Sequence, residues 1–539
     1  MVGKLVSVLA VALIFLLHAS TQETVRSVDY RPPGFTVNDR IARISGVAKE
    51  MEELIARHAV SSHIPGVAFG IVVDDSLVHS SAIGFSNVEN HAPVTPLTRF
   101  RIASMSKSFT AMAVMILRDD GKLSLDDPVS VYLPVMKQLD LPTSDSPPIR
   151  IEHLLTMTAG FPEDNPWGDR QLDESVAMLE ELIRNGISFS RVPGVNYEYS
   201  NLGYAILGRL ISEVSGMPYQ EFIRREILEP LGMNHTYWEY ERVPDGQLAI
   251  GYRFEEGSWK REPVLPDGSF GAMGGLITTI ADFSRYVSFH LSAWPPGNGP
   301  EMGPLKRSSV REMHTARNSS LVTYETACEG SPVAAISGYG YGLRIYTDDR
   351  GIERIGHGGA LPGYGSSYLF YPEYGIGMMA FGNLTYTSPW PDAELEELLF
   401  EKAGLKPRRL PPSAILLERK SQVEDLVLSW IGNRDSDGRE LSGEEETEEQ
   451  QRMGGQEILA ENFYQDRSRA RRAEEARRIA EKAGAVTGTG EITPFNQLRG
   501  HFPVFCEKDT IRVFFTLTPE PVPKIQQLEF SLDEMPSPR

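Results

Sequence analysis

Phe100-Arg101-Ile102-Ala103-Ser104-Met105-Ser106-Lys107-Ser108-Phe109-Thr110-Ala111 is the stretch on which the reading of this chain turns. Phe109, Met112, Ala113, Ile116 and Leu117 keep helical spacing up to Gly121, so the stretch opens a helix with one strongly apolar face. A spacing of three puts the Ser104 hydroxyl and the Lys107 amine one turn apart on one side of it. Near a helix start, Ser104 lies among free N–H groups that favour a developing oxyanion. A lysine buried at that point can lose its proton and act as a base. Serine and lysine at this spacing also arise by chance on exposed helices, so the surroundings decide.

Upstream, Ile41, Ile44, Val47, Met51, Leu54 and Ile55 predict a helix from about Val37 to His58. Two β-like runs follow, Gly66 to Val73 and Leu77 to Gly84, with Asp74-Asp75-Ser76 as the turn. From about Asp126 to Leu291 helices and loops dominate, with candidate helices at Glu152–Thr158, Glu174–Arg184, Asn201–Val214 and Tyr219–Ile227. Strand patterns return at Gly342–Tyr346, Glu353–Gly356, Gly365–Tyr371 and Gly375–Phe381, before a helix with apolar Leu395, Leu398, Leu399 and Phe400. Strands at both ends and helices between them imply one sheet assembled from both ends of a domain.

The Phe100–Ala111 run resembles the nucleophile segment of the class C β-lactamase and penicillin-binding-protein-like serine hydrolases. Gly121-Lys122-Leu123-Ser124-Leu125-Asp126-Asp127-Pro128-Val129, the run Ile151–Gly160 and the run Gly274–Asp282 are similar to other phrases of that family. Tyr199-Ser200-Asn201 matches its second motif, and His357-Gly358-Gly359 stands where a lysine, threonine and glycine are usual. The resemblance covers about Asn38 to Leu405. It implies an α+β, transpeptidase-like fold: an antiparallel sheet flanked by helices, plus a mainly helical subdomain.

It also implies roles. Ser104 is the expected nucleophile, with Lys107 and Tyr199 handling its proton. The Ser104 and Ala360 N–H groups are expected to form the oxyanion hole, and Asn201, His357, Gly358 and Gly359 to place the substrate. A phenol beside an ammonium can be stabilised as phenolate, which would let Tyr199 carry the proton. The bland alternatives are a helix cap for Asn201, a core aromatic for Tyr199 and a backbone-bonded strand-end histidine for His357. Histidine in place of lysine removes a fixed positive charge, so uncharged short-chain esters or amides are expected to be handled better than penicillins.

The chain has 539 residues, 41% hydrophobic and 23% charged, with a formal net charge of −20. That is an ordinary globular composition whose acidity disfavours nucleic acid and anionic membranes. Two cysteines, Cys328 and Cys506, are too few for a disulfide scaffold or a cysteine metal site. No metal or other cofactor is expected, and no zinc, Walker or dinucleotide motif is present. Lys4 followed by the apolar run Leu5–Leu17 reads as a signal peptide over residues 1–22, with an uncleaved anchor as the alternative and the only expected membrane contact. The product is expected to be exported, to the periplasm or beyond. The hydrolase domain is placed at 37–405, a linker with an acidic loop at 406–455, and a small α+β accessory domain at 456–539. Three N-x-S/T sites, at Asn234, Asn318 and Asn383, matter only in a host that glycosylates secreted proteins.

Two function classes follow. One is a serine hydrolase acting on a small ester, amide or peptide through an acyl-enzyme, with penicillin-recognising DD-peptidase or β-lactamase activity as the variant of it. The other is a non-catalytic module whose cleft only binds peptide or cell-wall fragments.

Overall fold

Helix α1 (Arg40–Ser61) buries Ile44, Val47, Met51, Ile55 and Ala59, a stripe at three- and four-residue intervals. That stripe needs an apolar surface, and strand β1 (Gly66–Val73) supplies one. Val67, Phe69, Ile71 and Val73 share a core with α1, while Ala68 and Val72 face the opposite core, as the two-residue period of a strand requires. β1 turns at Asp74-Asp75 into β2 (Ser76–Asn87), which pairs on with β3 (Ala92–Pro93).

The rest of the sheet comes from much later in the chain: β4 (Leu321–Thr326), β5 (Pro332–Tyr339), β6 (Arg344–Asp348), β7 (Glu353–Leu361), β8 (Tyr364–Tyr371) and β9 (Ile376–Gly382). Among the described residues this is one nine-stranded antiparallel sheet, ordered β3-β2-β1-β9-β8-β7-β6-β5-β4. The seam joins the two halves with Val67 opposite Gly382 and Val73 opposite Ile376. Asn383 stitches the seam. Its side chain accepts the Gly66 N–H at 2.8 Å and donates to the Phe85 and Ile250 carbonyls, and it is fully buried, so its glycosylation motif is closed in the folded chain.

One face of the sheet carries α1 and α5 (Asp392–Glu397), with Leu395 on α5 and Leu399 and Phe400 just after it. Against the other pack α2 (Ser106–Asp119), α3 (Asn201–Ser215), α4 (Ile280–Ser292) and the mainly helical middle of the chain. α2 is buried from Ser106 to Leu117 on nearly every side, so it is a central helix rather than an amphipathic cover. The computed structural model describes residues 30–318, 321–326, 332–432 and 458–532. The expected leader, Cys328 and the acidic run Gly443–Gln451 lie outside the described residues.

Contacts divide the chain into two units, 35–408 and the remainder. In the smaller unit, β10 (Val486–Thr489), β11 (Thr493–Asn496), β12 (Arg499–Cys506), β13 (Thr510–Leu517) and β14 (Ile525–Leu532) form a five-stranded antiparallel sheet. Ile511, Val513, Phe515 and Leu517 alternate inward on β13. α6 (Ala414–Ile431) and α7 (Arg469–Ala483) share that core. α6 corrects the expectation of a linker over 406–455. Its Ser413 hydroxyl caps the Leu416 N–H, and Leu416, Val423, Val427 and Trp430 are buried at helical spacing. Ahead of α7 a short separate helix, Phe463–Asp466, is parted from it at Ser468, whose side chain caps α7.

Candidate active site

Ser104 sits in a one-turn helix, Ala103–Met105, that runs into α2. Ala103 has φ 49°, in the left-handed region, which costs a residue with a side chain about 1–3 kcal/mol and persists only when neighbours enforce it. They do so from two directions. The Ile102 N–H donates to the Leu276 carbonyl at 3.0 Å, and the Ser366 hydroxyl of β8 donates to the Ile102 carbonyl at 2.7 Å. On β7, Gly359 lies so close that a Cβ there would strike the Ile102 carbonyl, the Ser366 hydroxyl and Ala103. Gly359→Val therefore displaces the Ser104 turn and slows covalent labelling of Ser104 by about 100-fold. A folded variant labelled within about threefold of the wild-type rate removes this bracing role.

The run Gly274–Asp282 braces the same turn. Leu276 N–H donates to Ser106 Oγ at 3.1 Å, and the Thr110 hydroxyl donates to the Ala272 carbonyl at 2.6 Å. The carbonyl of Met273 accepts from Lys107 Nζ at 2.8 Å.

Lys107 is fully buried beneath Ser104. Its Nζ lies 2.9 Å from Ser104 Oγ and 2.7 Å from Asn201 Oδ1. Burial brings its pKa down to about 7, helped by the charge of Arg344 and opposed by Asp169 and Asp164. The amine is thus partly neutral near pH 7. Asp169 is also buried, and burial pushes its carboxyl up to about 6 against the pull of Lys107.

Asn201 opens α3 and Ser200 is its cap, accepting the Gly203 N–H. Asp164 holds this helix start, accepting from the Asn201 N–H at 2.7 Å and the Leu202 N–H at 2.8 Å. The Asn201 amide is spent at both ends, on Lys107 and on Asn165 Oδ1 at 2.7 Å. Asn201 is fully buried and is not among the cavity-lining residues, so it positions Lys107, while Asn165 takes the place facing the cavity.

Tyr199 lies two residues before Asn201, its ring centroid 5.0 Å from Lys107 Nζ. Burial pushes its phenol well up, against a hydrogen bond with Ser104 and the charge of Arg344, so the hydroxyl stays protonated. The phenolate expected from an adjacent ammonium does not fit a buried tyrosine beside a lysine that is itself driven towards neutrality.

His357 is buried on β7, with its ring 6.2 Å from that of Tyr199. Nδ1 faces the Gly358 carbonyl and Nε2 faces the Tyr339 hydroxyl at 3.0 Å. A carbonyl only accepts, so the proton is on Nδ1 and Nε2 accepts from Tyr339. Burial, Arg344 and Lys107 hold the imidazole well below its usual pKa. It is neutral, and both nitrogens are engaged inside the protein, which leaves none to hydrogen-bond a substrate.

Ser104, Tyr199, His357, Gly358, Gly359 and Ala360 line one cavity of about 910 Å³. The structure therefore brings together every residue singled out from the motifs, with Lys107 and Asn201 behind the wall. The cavity also shows residues that sequence reasoning missed: Asn165, Asp169, Tyr197, Arg344 and Tyr386. Tyr197 had one available signal, two residues before Tyr199. Among the described residues no group of three or more His, Cys, Asp or Glu side chains is placed to hold a metal.

A family model described as Beta-lactamase matches residues 48–401. The chain belongs to the β-lactamase family. That family comprises serine hydrolases and penicillin-binding proteins, and its model takes in both halves of the sheet and every residue of the cavity. Protein flp of Staphylococcus aureus (strain N315) is 26% identical over 342 residues, 62% of this chain and 63% of that protein. Beta-lactamase-like protein 2 of Dictyostelium discoideum is 32% identical over 290 residues, 52% of each. The chain thus spans less than two thirds of the length of these relatives. Among solved structures, the octameric penicillin-binding protein homologue from Pyrococcus abyssi shares the fold, with TM-score 0.54 and 23% identity over 90% of this chain and 98% of that one.

Proposed function

We propose that this family member is an exported serine hydrolase that cleaves an ester or amide through an acyl-enzyme on Ser104. The observation that carries the reading is the buried Lys107 amine 2.9 Å from the Ser104 hydroxyl, at the floor of an open cavity. With a pKa brought to about 7, the amine takes the hydroxyl proton as Oγ bonds the substrate carbonyl carbon. The tetrahedral oxyanion then sits between Ser104 and Ala360, where their N–H groups are its donors. Tyr199, kept neutral by burial, gives its proton to the leaving group and recovers one from Lys107. Water entering after the leaving group departs frees the acyl group by the reverse path.

The rival reading is a binding module, which has no use for a neutral amine held on a serine hydroxyl. Labelling with a fluorophosphonate, followed by mass spectrometry of the Ser104 peptide, separates the two. The expected result is one adduct on Ser104, formed at a rate that rises with pH through about 7 as Lys107 loses its proton, then levels. No adduct at any pH from about 6 to 9 leaves only the binding module. A screen over p-nitrophenyl esters, D-amino-acid amides and β-lactams then ranks the leaving groups. Export rests on the leader-like run alone. Among the described residues no helix is long and apolar enough to cross a membrane.

A further inference from the structure

Arg101 and Asp267 carry opposite charges behind the Ser104 turn, and the mechanism uses neither. Arg101 lies on the strand Phe100–Arg101 just before Ser104, paired with Ile277, and is 2% exposed. Its Nη2 donates to the Leu265 carbonyl, while Nε and Nη1 have no partner among the described residues. Asp267 follows on the same loop, which leads into the one-turn helix Gly271–Gly274 and on to Leu276.

The partly buried Asp267 carboxylate is set against that helix. A Cβ on Gly271 would come within 1.8 Å of its Oδ1 and one on Gly275 within 2.3 Å, so only glycine lets the carboxylate lie on the backbone there. Gln220 Nε2 donates to Oδ2 at 2.8 Å, and the Tyr219 hydroxyl lies 3.2 Å from the same oxygen. The backbone under the carboxylate is the one that braces the site from its other side. Ala272 receives Thr110, Met273 receives Lys107, and Leu276 holds Ser106 and Ile102. Behind the loop, Asp267 borders a second cavity, of about 590 Å³, whose wall also carries Asp173, Glu174, Tyr219 and Arg209. Burial pushes the Asp267 carboxyl up to about 7, with Glu239 adding to the rise and Gln220, Arg101 and Tyr219 opposing it. Asp267 and Glu239 are also carboxylates that compensate the Arg101 guanidinium. Protonating Asp267 removes one of these charges and places a new O–H beside the Gln220 N–H, itself a donor.

We propose that Asp267 is a positioning residue: its ionised carboxylate grips the backbone from Gly271 to Gly275 and keeps Met273 and Leu276 on the Ser104–Lys107 site, and protons reaching it through the second cavity loosen that grip. The site then senses acidity at two points, because Lys107 and Asp267 must both be without their protons. The inference rests on the hydrolase reading only where the reactivity of Ser104 is the readout. Holding a charge here has a cost. A carboxyl whose pKa rises on folding contributes stability in its protonated form, and that contribution is lost as pH rises through about 7. A residue kept only for the fold has no reason to carry that cost.

The test uses the full chain with isotopically labelled methionine methyl groups. Met273 Sδ lies 3.9 Å from Lys107 Nζ, so its methyl resonance reports on the place where loop and lysine meet. In Lys107→Leu, with the lysine's own titration gone, that resonance is expected to shift with a midpoint at about pH 7, and adding Asp267→Asn abolishes the shift. A resonance that stays still in Lys107→Leu overturns the proposal. Fluorophosphonate labelling of Ser104 is the second readout and leaves Lys107 in place. Below about pH 6 the wild-type rate is expected to fall about 100-fold per pH unit, since two protons must leave, and the Asp267→Asn rate about tenfold. Gln220→Leu takes a hydrogen bond from the carboxylate, so at about pH 6 it labels about fivefold more slowly than wild type, while at about pH 9 the two agree within about twofold. A wild-type fall of only about tenfold per pH unit, or a Gln220→Leu rate lowered equally at every pH, overturns the proposal as well. A Ser104 that takes no label at any pH ends the hydrolase reading instead, and the methyl titration then decides the role of Asp267.

Discussion

Ser104→Ala abolishes turnover of every substrate the wild type accepts, with a loss of about 10⁴- to 10⁶-fold. The substitution removes one hydroxyl and leaves the turn intact, since Ala103, Ile102 and Ser366 are held by backbone contacts that Ser104 does not make. The melting temperature is expected to move by no more than about 2 °C. Lys107 Nζ keeps Asn201 Oδ1 and the Met273 carbonyl as partners after the serine oxygen is gone. Activity within about tenfold of wild type, in protein purified away from host hydrolases, ends the assignment of Ser104 as nucleophile.

Lys107→Met is expected to cost about 10³-fold or more in kcat/KM while the fold holds. Methionine fills nearly the same volume, whereas Lys107→Ala leaves a void; both substitutions take the donor away from Asn201 Oδ1 and the Met273 carbonyl. Stability gives a second readout with a definite sign. The ordinary lysine value is 10.5 and burial lowers it to about 7 in the folded chain. Between those values the unfolded chain binds the extra proton, so wild-type stability rises as pH rises from about 7. The methionine variant lacks that rise. A variant that keeps both the activity and the slope takes the base role away from Lys107.

Ser104, Lys107 and the glycine-rich third segment were legible because each is a local pattern tied to a local conformation. Ser104 and Lys107 needed only a helix, and Gly359 only a strand with no room beside it. What could not be read was the state of a side chain's partners. Asn201 looked like a group for the substrate and is spent on Lys107 and Asn165. His357 looked available, and both its nitrogens are engaged. Arg344 lay in an expected strand and drew no notice, since its place in the cavity is a property of the folded neighbourhood. α6 was hidden by its flanks, a proline-rich run before it and an acidic run after it, although Leu416, Val423, Val427 and Trp430 were already at helical spacing. β4 and β5 escaped notice as well, and with them Tyr339, the partner of His357.

The seam between β1 and β9 has a consequence for how the molecule comes into being. Val67 meets Gly382 only after nearly the whole larger unit has been synthesised, so the closing contact spans a long loop and its entropy is lost late. The turn bearing Ser104 is braced by Gly359 and Ser366, which belong to the far side of that loop. An unfinished or half-folded chain therefore has its serine and its lysine but no frame to strain Ala103 into place. On the proposed hydrolase reading, activity is expected only after this seam has closed.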